Sequence, residues 1–404
     1  MADFTGFTRG FRRAWLSTRL GAETPPRLMA SAAEPVALPR AHSADDLVRV
    51  LRDDGSLDPT HDPRLSTEEI VELYRQMAQT RILDERLVTL QRQGRIGFHI
   101  GSLGEEAAVI GSAYAMREQD WLFPCYREFG AALLRGLSLQ TFMDNMFGNI
   151  NDSVKGRQMP DHYTCRQAHF GSISSPVGTQ ITQAVGFAWG ARIRREDLVT
   201  LVYFGDGGTS SNDFHNGMNF AGVFQTPTIF FLRNNGWAIS VPVERQTASR
   251  TFAEKGIAYG VPAVRVDGND VFAVVATTRQ AVQRASSGGG PTLIEALTYR
   301  MGGHSTSDDP NRYRASDELK PWVERDPIER VRRHLEARGL WDSGRDDSLR
   351  KDVERRFREA VSVAEKAPPP PLESMFEDVY EKRSWNLIEE CNELLTGPRA
   401  TSHH

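Results

Sequence analysis

The sequence predicts an α/β fold: a mostly parallel sheet with helices on both of its faces. Short apolar runs typical of buried strands alternate with longer segments of helical periodicity through the middle of the chain. Strands that alternate with helices pair in parallel through right-handed crossovers. The composition agrees, because 39% hydrophobic and 25% charged residues in a chain of 404 are typical of a soluble globular protein.

The predicted elements fall into three regions. Residues 1–65 are rich in Pro, Ala, Asp and Arg and predict an N-terminal arm. Helical periodicity begins after Ser66, a predicted N-cap, and the α/β domain that it opens is predicted over residues 66–365. A Pro-rich linker with a short C-terminal tail follows over residues 366–404. The predicted elements are helix 66–93, helix 179–195, strand 198–204, helix 213–224, strand 226–232, a strand and a helix within 263–285, and strand 292–300.

Charge and hydropathy exclude two classes of partner. A formal net charge of −4 offers no basic surface for nucleic acid. No apolar stretch approaches the roughly 18–20 residues that span a bilayer, so no membrane partner is predicted. The cysteines, Cys125, Cys165 and Cys391, are far apart and odd in number, which indicates neither a disulfide framework nor a zinc site.

The N-terminal segment allows two predictions of location. Residues 1–21 contain four arginines and one acid, a composition shared by flexible basic arms and by transit peptides. The basic arm is the preferred interpretation and predicts a bacterial cytoplasmic protein. The transit peptide is the alternative and predicts the mitochondrial matrix.

A glycine-rich turn, "YFGDGGTSSN" at residues 203–212, follows an apolar run and precedes a predicted helix. A dinucleotide fingerprint would need a third glycine where the chain has Ser210, and a P-loop would need a lysine that is absent. A tight strand-to-helix connection remains open as the simplest interpretation.

Polar residues at the end of the next strand favour a ligand site over a simple turn. Asp206 follows one predicted strand, and Asn234 and Asn235 follow the next. Ligands of open parallel sheets bind outside the carboxyl ends of the strands, and oxygen ligands of this kind suit magnesium or calcium. A helix N-terminus supplies about half a positive charge, so a diphosphate here would need a divalent cation and arginines. Arg127 and Arg233 are the candidates.

The pair "GDG" and "NN" at this spacing resembles a thiamin diphosphate motif. The surrounding segments "YRE", "KGRQMPDHY", "ISSPVGTQITQAVG", "RNNGWAIS", "VDGNDVFAV" and "YRMGGHSTSDDPNRYR" resemble the α subunit of the branched-chain 2-oxo acid dehydrogenase. The resemblance covers about residues 90–315, with a weaker match, "MFEDVY", further on. The pyruvate dehydrogenase α subunit is the nearest alternative.

The resemblance implies a set of site residues. It assigns magnesium to Asp206, Asn235 and the main-chain carbonyl of Trp237, and a catalytic role beside the cofactor to His304. It also implies a potassium-binding loop that comprises Ser174, Pro176, Thr179 and Gln180. The residues implied to bind the cofactor are Tyr126, Arg127, Ser175, Pro176, Val177, Gly205, Asp206, Gly207, Gly208, Arg233, Asn235, Ala238, Ile239 and His304.

The loop that carries His304 has a second implied role. Its glycines, polar residues and Asp-Pro pair are typical of a mobile surface loop. Ser305 aligns with a serine that a dedicated kinase phosphorylates in mitochondrial relatives. A second modified serine of those relatives corresponds to Ala315, so that site is absent.

The implied activity is oxidative decarboxylation of branched-chain 2-oxo acids, as in 3-methyl-2-oxobutanoate dehydrogenase (2-methylpropanoyl-transferring). Thiamin diphosphate acts in this chemistry as the electron sink. The resemblance implies a β subunit that supplies a catalytic glutamate, an α2β2 heterotetramer, and a lipoyl-bearing acyltransferase that receives the acyl group. Two alternatives stay open: a pyruvate or acetoin dehydrogenase α subunit, and a non-catalytic metal- or nucleotide-binding regulatory module.

Overall fold

The computed structural model describes residues 47–398, all within the larger of the two units into which the chain divides, residues 36–404. The Arg-rich segment and most of the predicted arm lie outside these residues. A six-stranded parallel sheet forms the centre, in the order β1-β7-β8-β4-β3-β2, and β5 and β6 form a small antiparallel ribbon. The strands are β1 Leu47–Val48, β2 Trp121–Phe123, β3 Thr200–Gly205, β4 Thr228–Asn234, β5 Trp237–Ala238, β6 Val241–Pro242, β7 Ala263–Asp267 and β8 Thr292–Leu297.

Helices cover both faces of the sheet, which confirms the predicted fold class. The side chains of β3 alternate between two apolar clusters: Leu201 and Tyr203 pack into one, Val202 and Phe204 into the other. This alternation follows from the two-residue period of a strand. The helices are α1 Thr67–Arg92, α2 Glu106–Ala115, α3 Phe129–Leu134, α4 Leu139–Phe147, α5 Thr179–Ile193, α6 Asn212–Phe224, α7 Val271–Ser286, α8 Lys320–Glu324, α9 Pro327–Ala337, α10 Ser343–Ala364 and α11 Trp385–Thr396.

The first helix begins where its local sequence predicts. Ser66 caps α1 through its side chain, which accepts from the Glu69 N–H at 3.2 Å, while Glu69 accepts from the Ser66 N–H at 2.8 Å. This reciprocal capping box satisfies two backbone donors that the helix cannot pair itself.

One local feature differs from the sequence expectation. Residues 47–48, which lie in the predicted arm, form β1 at one edge of the sheet. The Asp270 carboxylate holds the chain just after β1, because it accepts from the N–H groups of Val50 and Leu51 at 2.6 and 2.7 Å. Helix α5 begins at Thr179, as the sequence predicts, after Gly178 in the left-handed conformation (φ 97°).

The register of the central strands positions the glycine-rich turn. Gly205 at the end of β3 pairs with Arg233 of β4. The residues that follow each strand, Asp206 and Asn234–Asn235, therefore emerge at the same edge of the sheet. Of the helices within residues 47–398, none combines the length and apolar character needed to cross a lipid bilayer.

Candidate cofactor site

A cavity of about 380 Å³ lies at the carboxyl edge of β3 and β4. Its volume is within the range of small-molecule sites. It brings together fourteen residues that the sequence predicted for cofactor or magnesium binding: Tyr126, Arg127, Ser175, Val177, Gly205, Asp206, Gly207, Gly208, Arg233, Asn235, Trp237, Ala238, Ile239 and His304. Pro176 and the other predicted potassium residues are not part of its lining.

The glycine-rich turn presents a buried carboxylate to this cavity. After β3 the chain makes a 3-10 turn over Asp206–Ser210. The Asp206 carboxylate accepts from Gln246 Nε2 at 2.8 Å. Burial raises the pKa of Asp206 to about 6, although the hydrogen bonds from Gln246 and the Gly207 N–H oppose this rise. Gly207 needs to be glycine because an added Cβ would lie 2.7 Å from the Ala238 Cβ.

A buried glutamate that the sequence analysis did not identify orients Asn235. Glu105 is fully buried, and its Oε1 accepts from Asn235 Nδ2 at 2.9 Å. The Asn235 Oδ1 is thereby left to accept from the Trp237 N–H at 3.2 Å. Glu105 precedes α2 in "GEEAA", where acidic residues are typical of a helix start, so no sequence signal separates it from an ordinary first-turn acid.

Carboxylates lie near both predicted arginines, closely at Arg233 and more loosely at Arg127. Arg233 donates to Glu105 Oε2 at 2.6 Å and is ion-paired with Glu128, and Arg127 Nε lies 4.0 Å from Glu105. Burial raises the pKa of Glu128, and the Arg233 charge opposes that rise. The charges of the two guanidinium groups and the two glutamates therefore cancel, and the Asp206 carboxylate brings the net charge of these five groups to about −1.

Arg127 connects this network to the loop that carries His304. Its NH1 donates to the Gly101 carbonyl at 2.6 Å, and its NH2 donates to the His304 carbonyl at 2.8 Å and faces His304 Nδ1 at 3.0 Å. Burial, Arg127 and Arg300 together lower the pKa of His304 to about 4, so the ring is neutral at pH 7. Since Nδ1 faces a donor that cannot deprotonate, the imidazole proton lies on Nε2.

The loop around His304 is folded and tied at several points. The Asp308 carboxylate accepts from the His304 N–H at 2.6 Å and from the Tyr313 hydroxyl. Arg300 donates to Tyr313 at 2.7 Å and also to carbonyl groups of the β5 turn, those of Ile239 at 2.7 Å and Trp237 at 3.4 Å. The composition that predicted a mobile loop did not indicate these ties, because they depend on partners distant in the chain.

Ser175 is held by a histidine that the sequence analysis quoted within a motif but did not assign. His162 Nε2 lies 2.6 Å from the Ser175 hydroxyl, and Nδ1 lies 3.0 Å from the Pro160 carbonyl. Because a carbonyl only accepts, Nδ1 carries the proton and the Ser175 hydroxyl donates to Nε2. Other cavity residues missed at the sequence level are Phe98, Ile100, Cys125 and Met159.

The predicted potassium residues lie at the start of α5. Gln180 is buried, and its Nε2 donates to the Tyr203 carbonyl at 2.9 Å. Its Oε1 is buried without a hydrogen-bond partner among the described residues. No group of three His, Cys, Asp or Glu side chains within residues 47–398 is arranged to hold a metal ion. The predicted magnesium set is of another kind, with one carboxylate, one amide and one carbonyl.

The fold and the site define an α/β protein with a charged, ligand-sized cavity at the carboxyl edge of a parallel sheet, where such proteins bind their cofactors. A sequence profile of the dehydrogenase E1 component family matches residues 74–373, which is most of the chain. The chain belongs to the dehydrogenase E1 component family, and the predicted family is confirmed.

Three curated relatives share the greater part of the sequence. The human mitochondrial 2-oxoisovalerate dehydrogenase subunit alpha is 44% identical over 358 residues, covering 88% of this chain and 80% of the human protein. Subunit alpha 1 of Arabidopsis thaliana is 43% identical, covering 85% and 73%. The Dictyostelium discoideum subunit alpha is 42% identical, covering 83% and 77%. These names agree with the predicted function. All three proteins are named mitochondrial, which matches the alternative location and does not support the bacterial cytoplasmic prediction.

Proposed function

We propose that this chain is the α subunit of a branched-chain 2-oxo acid dehydrogenase, and that its cavity binds thiamin diphosphate with magnesium. The observation that carries the proposal is the charge balance of the cavity. Its two arginines are matched by Glu105 and Glu128, while Asp206 adds an unmatched negative charge. A diphosphate would face this carboxylate without a counterion, whereas a divalent cation would satisfy both the carboxylate and the phosphates.

The donor set fits magnesium and a diphosphate. The Asp206 carboxylate, the Asn235 carboxamide and the Trp237 carbonyl are the hard oxygen ligands that magnesium prefers. Arg127 is the main candidate to bind the diphosphate, because its guanidinium lines the cavity and is only loosely paired with Glu105. Arg233 faces Glu105 and Glu128 through both terminal nitrogens, so its contribution is chiefly to hold those glutamates.

When bound, thiamin diphosphate would supply the nucleophilic carbon and the electron sink for decarboxylation. The residues of this chain would orient it and exclude water. Neutral His304 would offer its Nε2–H to a phosphate oxygen or to the substrate carboxylate. Ser175, whose hydroxyl donates to His162, would keep its oxygen lone pairs available towards the cofactor.

The mouth of the cavity supports the proposal of a partner subunit. Three apolar side chains that line the cavity are about half exposed: Met159 at 48%, Val177 at 47% and Ile239 at 55%. Ile239 also has a left-handed backbone (φ 57°), which is costly for a β-branched residue and is typically maintained at functional sites. A β subunit covering this rim would complete the site in an α2β2 assembly and supply the catalytic glutamate. A lipoyl-bearing acyltransferase would then receive the acyl group.

Three further assignments belong to the same proposal. A potassium ion would bind the loop of Ser174, Pro176, Thr179 and Gln180, where the unpartnered Gln180 oxygen offers a ligand. Ser305 would be a phosphorylation site. A dianionic group at this position, beside His304 and a bound diphosphate, would repel both Asp308 and the cofactor. The mitochondrial matrix is the proposed location, by similarity to the named relatives.

The decisive experiment reconstitutes the α chain with its β chain and measures CO₂ release from a panel of 2-oxo acids. We expect activity that depends on magnesium and thiamin diphosphate, is highest with branched-chain substrates, and is absent from the α chain alone. Asp206→Ala should abolish magnesium-dependent cofactor binding. Preference for pyruvate or acetoin would contradict the substrate assignment, and decarboxylation by α without β would contradict the shared site. A wild-type assembly that binds no thiamin diphosphate would favour the regulatory alternative.

A further inference from the structure

A wholly buried histidine lies between two aspartates beside the cofactor cavity. His99 has no exposed surface, and its Nε2 lies 2.8 Å from Asp84 Oδ1 on α1. On the other side of the ring, Nδ1 lies 3.1 Å from Asp161 Oδ2. Asp161 has a left-handed backbone (φ 65°), an uncommon conformation that places its carboxylate against the ring.

The ring in this cluster is an imidazolium. Burial by itself lowers the pKa of His99, but Asp161 and Asp84 outweigh that effect and raise the pKa to about 10. Both ring nitrogens therefore donate, one to each carboxylate. The two carboxylates also accept from backbone N–H groups of the same segment. Asp84 Oδ2 accepts from the Ser102 N–H at 2.9 Å, and Asp161 Oδ2, the oxygen nearest the ring, accepts from the Ile100 N–H at 2.7 Å.

The segment held by this cluster, residues 98–102, connects to both cationic and imidazole groups of the cofactor site. The His99 N–H donates to Thr306 Oγ1 at 3.1 Å, and the Thr306 N–H donates to the His99 carbonyl at 3.0 Å. The Gly101 carbonyl accepts from Arg127, which in turn donates to the His304 carbonyl. The loop with His304 and the Arg127 side chain are thus tied to one short stretch of backbone.

The same segment is a wall between two cavities. Phe98 and Ile100 line the cofactor cavity, whereas His99 and Gly101 belong to the lining of a neighbouring cavity of about 680 Å³ under the loop of residues 302–311. The backbone of this segment lies close against α1 at Gly101, because an added Cβ there would lie 2.3 Å from Asp84 Oδ1. The segment therefore has little room to shift towards α1.

We propose that His99, clamped by Asp84 and Asp161, is a positioning residue that sets the placement of Arg127 and His304 for cofactor binding. The inference rests on the proposed function, since the ligand used to test it is thiamin diphosphate with magnesium. Without the imidazolium, two buried carboxylates face each other uncompensated. A shift of segment 98–102 away from α1 would relieve that repulsion, and it would displace the Gly101 carbonyl and the Thr306 pair.

The test uses His99→Gln in the assembled α and β chains. The dissociation constant for thiamin diphosphate in saturating magnesium should rise roughly ten- to a hundredfold, the range expected for loss of hydrogen bonds to charged groups. Trypsin should cut the loop at Arg312 and Arg314 faster than in the wild-type assembly. His334→Gln is the matched control, because His334 is also buried but bonds the Gly55 carbonyl at 2.8 Å and lines neither cavity. It should leave both measurements unchanged.

A double variant distinguishes positioning from a general packing defect. His99→Gln with Asp161→Asn restores the net charge of the cluster, and Asn tolerates the left-handed backbone of position 161. Its cofactor affinity should recover towards the wild-type value. Affinity of His99→Gln indistinguishable from wild type, or a double variant no better than the single one, overturns the inference.

A variant on the loop side keeps the test open if His99→Gln does not assemble. Thr306→Val removes only the hydroxyl that accepts from the His99 N–H, and Ser307→Ala in the same loop is its control. Thr306→Val should weaken cofactor binding and speed loop cleavage, while Ser307→Ala should not; equal behaviour of the two overturns the inference. A wild-type assembly that binds no cofactor is a different result, and it rejects the proposed function itself.

Discussion

Replacing Glu105 by Gln tests whether the buried carboxylate orients the predicted magnesium ligand. At 2.6 Å and an effective dielectric constant of about 20, the attraction between Glu105 and Arg233 is about 6 kcal/mol before desolvation is subtracted. Losing one partner of a buried ion pair costs about 3–5 kcal/mol in the free energy of unfolding. We expect the lower end, about 3 kcal/mol, because Arg233 keeps its pairing with Glu128.

The substitution should also weaken cofactor binding. A glutamine oxygen can accept from Arg233 or from Asn235 but not from both in the present geometry, and the other group then faces an N–H donor. Asn235 would lose its fixed orientation. Loss of a partner that orients a metal ligand typically lowers metal affinity by about 10–100-fold, so magnesium-dependent binding of thiamin diphosphate should weaken by a similar factor.

The neighbouring residue provides the control for this measurement. Glu106 is equally buried and is ion-paired with Arg81, but it does not line the cofactor cavity. Glu106→Gln should reduce resistance to urea to a similar degree. It should not change the dissociation constant for the cofactor, measured by calorimetry on the assembled protein. If both variants weaken cofactor binding equally, or if Glu105→Gln binds as tightly as wild type, Glu105 does not orient Asn235.

Three other predictions concern individual groups of the site. Burial and Glu128 raise the pKa of the Cys125 thiol to about 12, so iodoacetamide should modify Cys165 long before Cys125, as peptide mass spectrometry would show; early modification of Cys125 would contradict this. Ser305→Glu should release the loop next to Asp308 and speed tryptic cleavage at Arg312, whereas Ser305→Ala should be cleaved at the wild-type rate. The pKa of His304 is lowered to about 4 in the folded protein, so as the pH falls below 6.5 this histidine takes up a proton in the unfolded chain before it does so in the folded one. Between pH 6.5 and 4, the free energy of unfolding of the wild type should therefore fall by about 3 kcal/mol more than that of His304→Gln. If urea unfolding gives the wild type and His304→Gln the same loss of stability between the two pH values, that last expectation is refuted.

Local patterns in the sequence determined the elements that carry the site. The apolar runs before Asp206 and Asn234 become the buried strands β3 and β4, because alternate residues of each run face helices on opposite sides of the sheet. The positions of the site residues after those strands follow from parallel pairing alone. The capping signal at Ser66 was likewise sufficient, since its partners lie within one turn of helix.

Contacts between distant parts of the chain decided the electrostatics of the site. Glu105 and Arg233 are 128 positions apart, and no spacing rule predicts that they meet. Only their pairing shows that Arg233 is already neutralised and that Asp206 is the unmatched charge. The clamp around His99 joins α1 to residue 161 in the same way. Hydrophobic periodicity is set by near neighbours in the chain, whereas charge balance in a buried site depends on which groups folding brings within a few ångströms, and only the tertiary structure determines that.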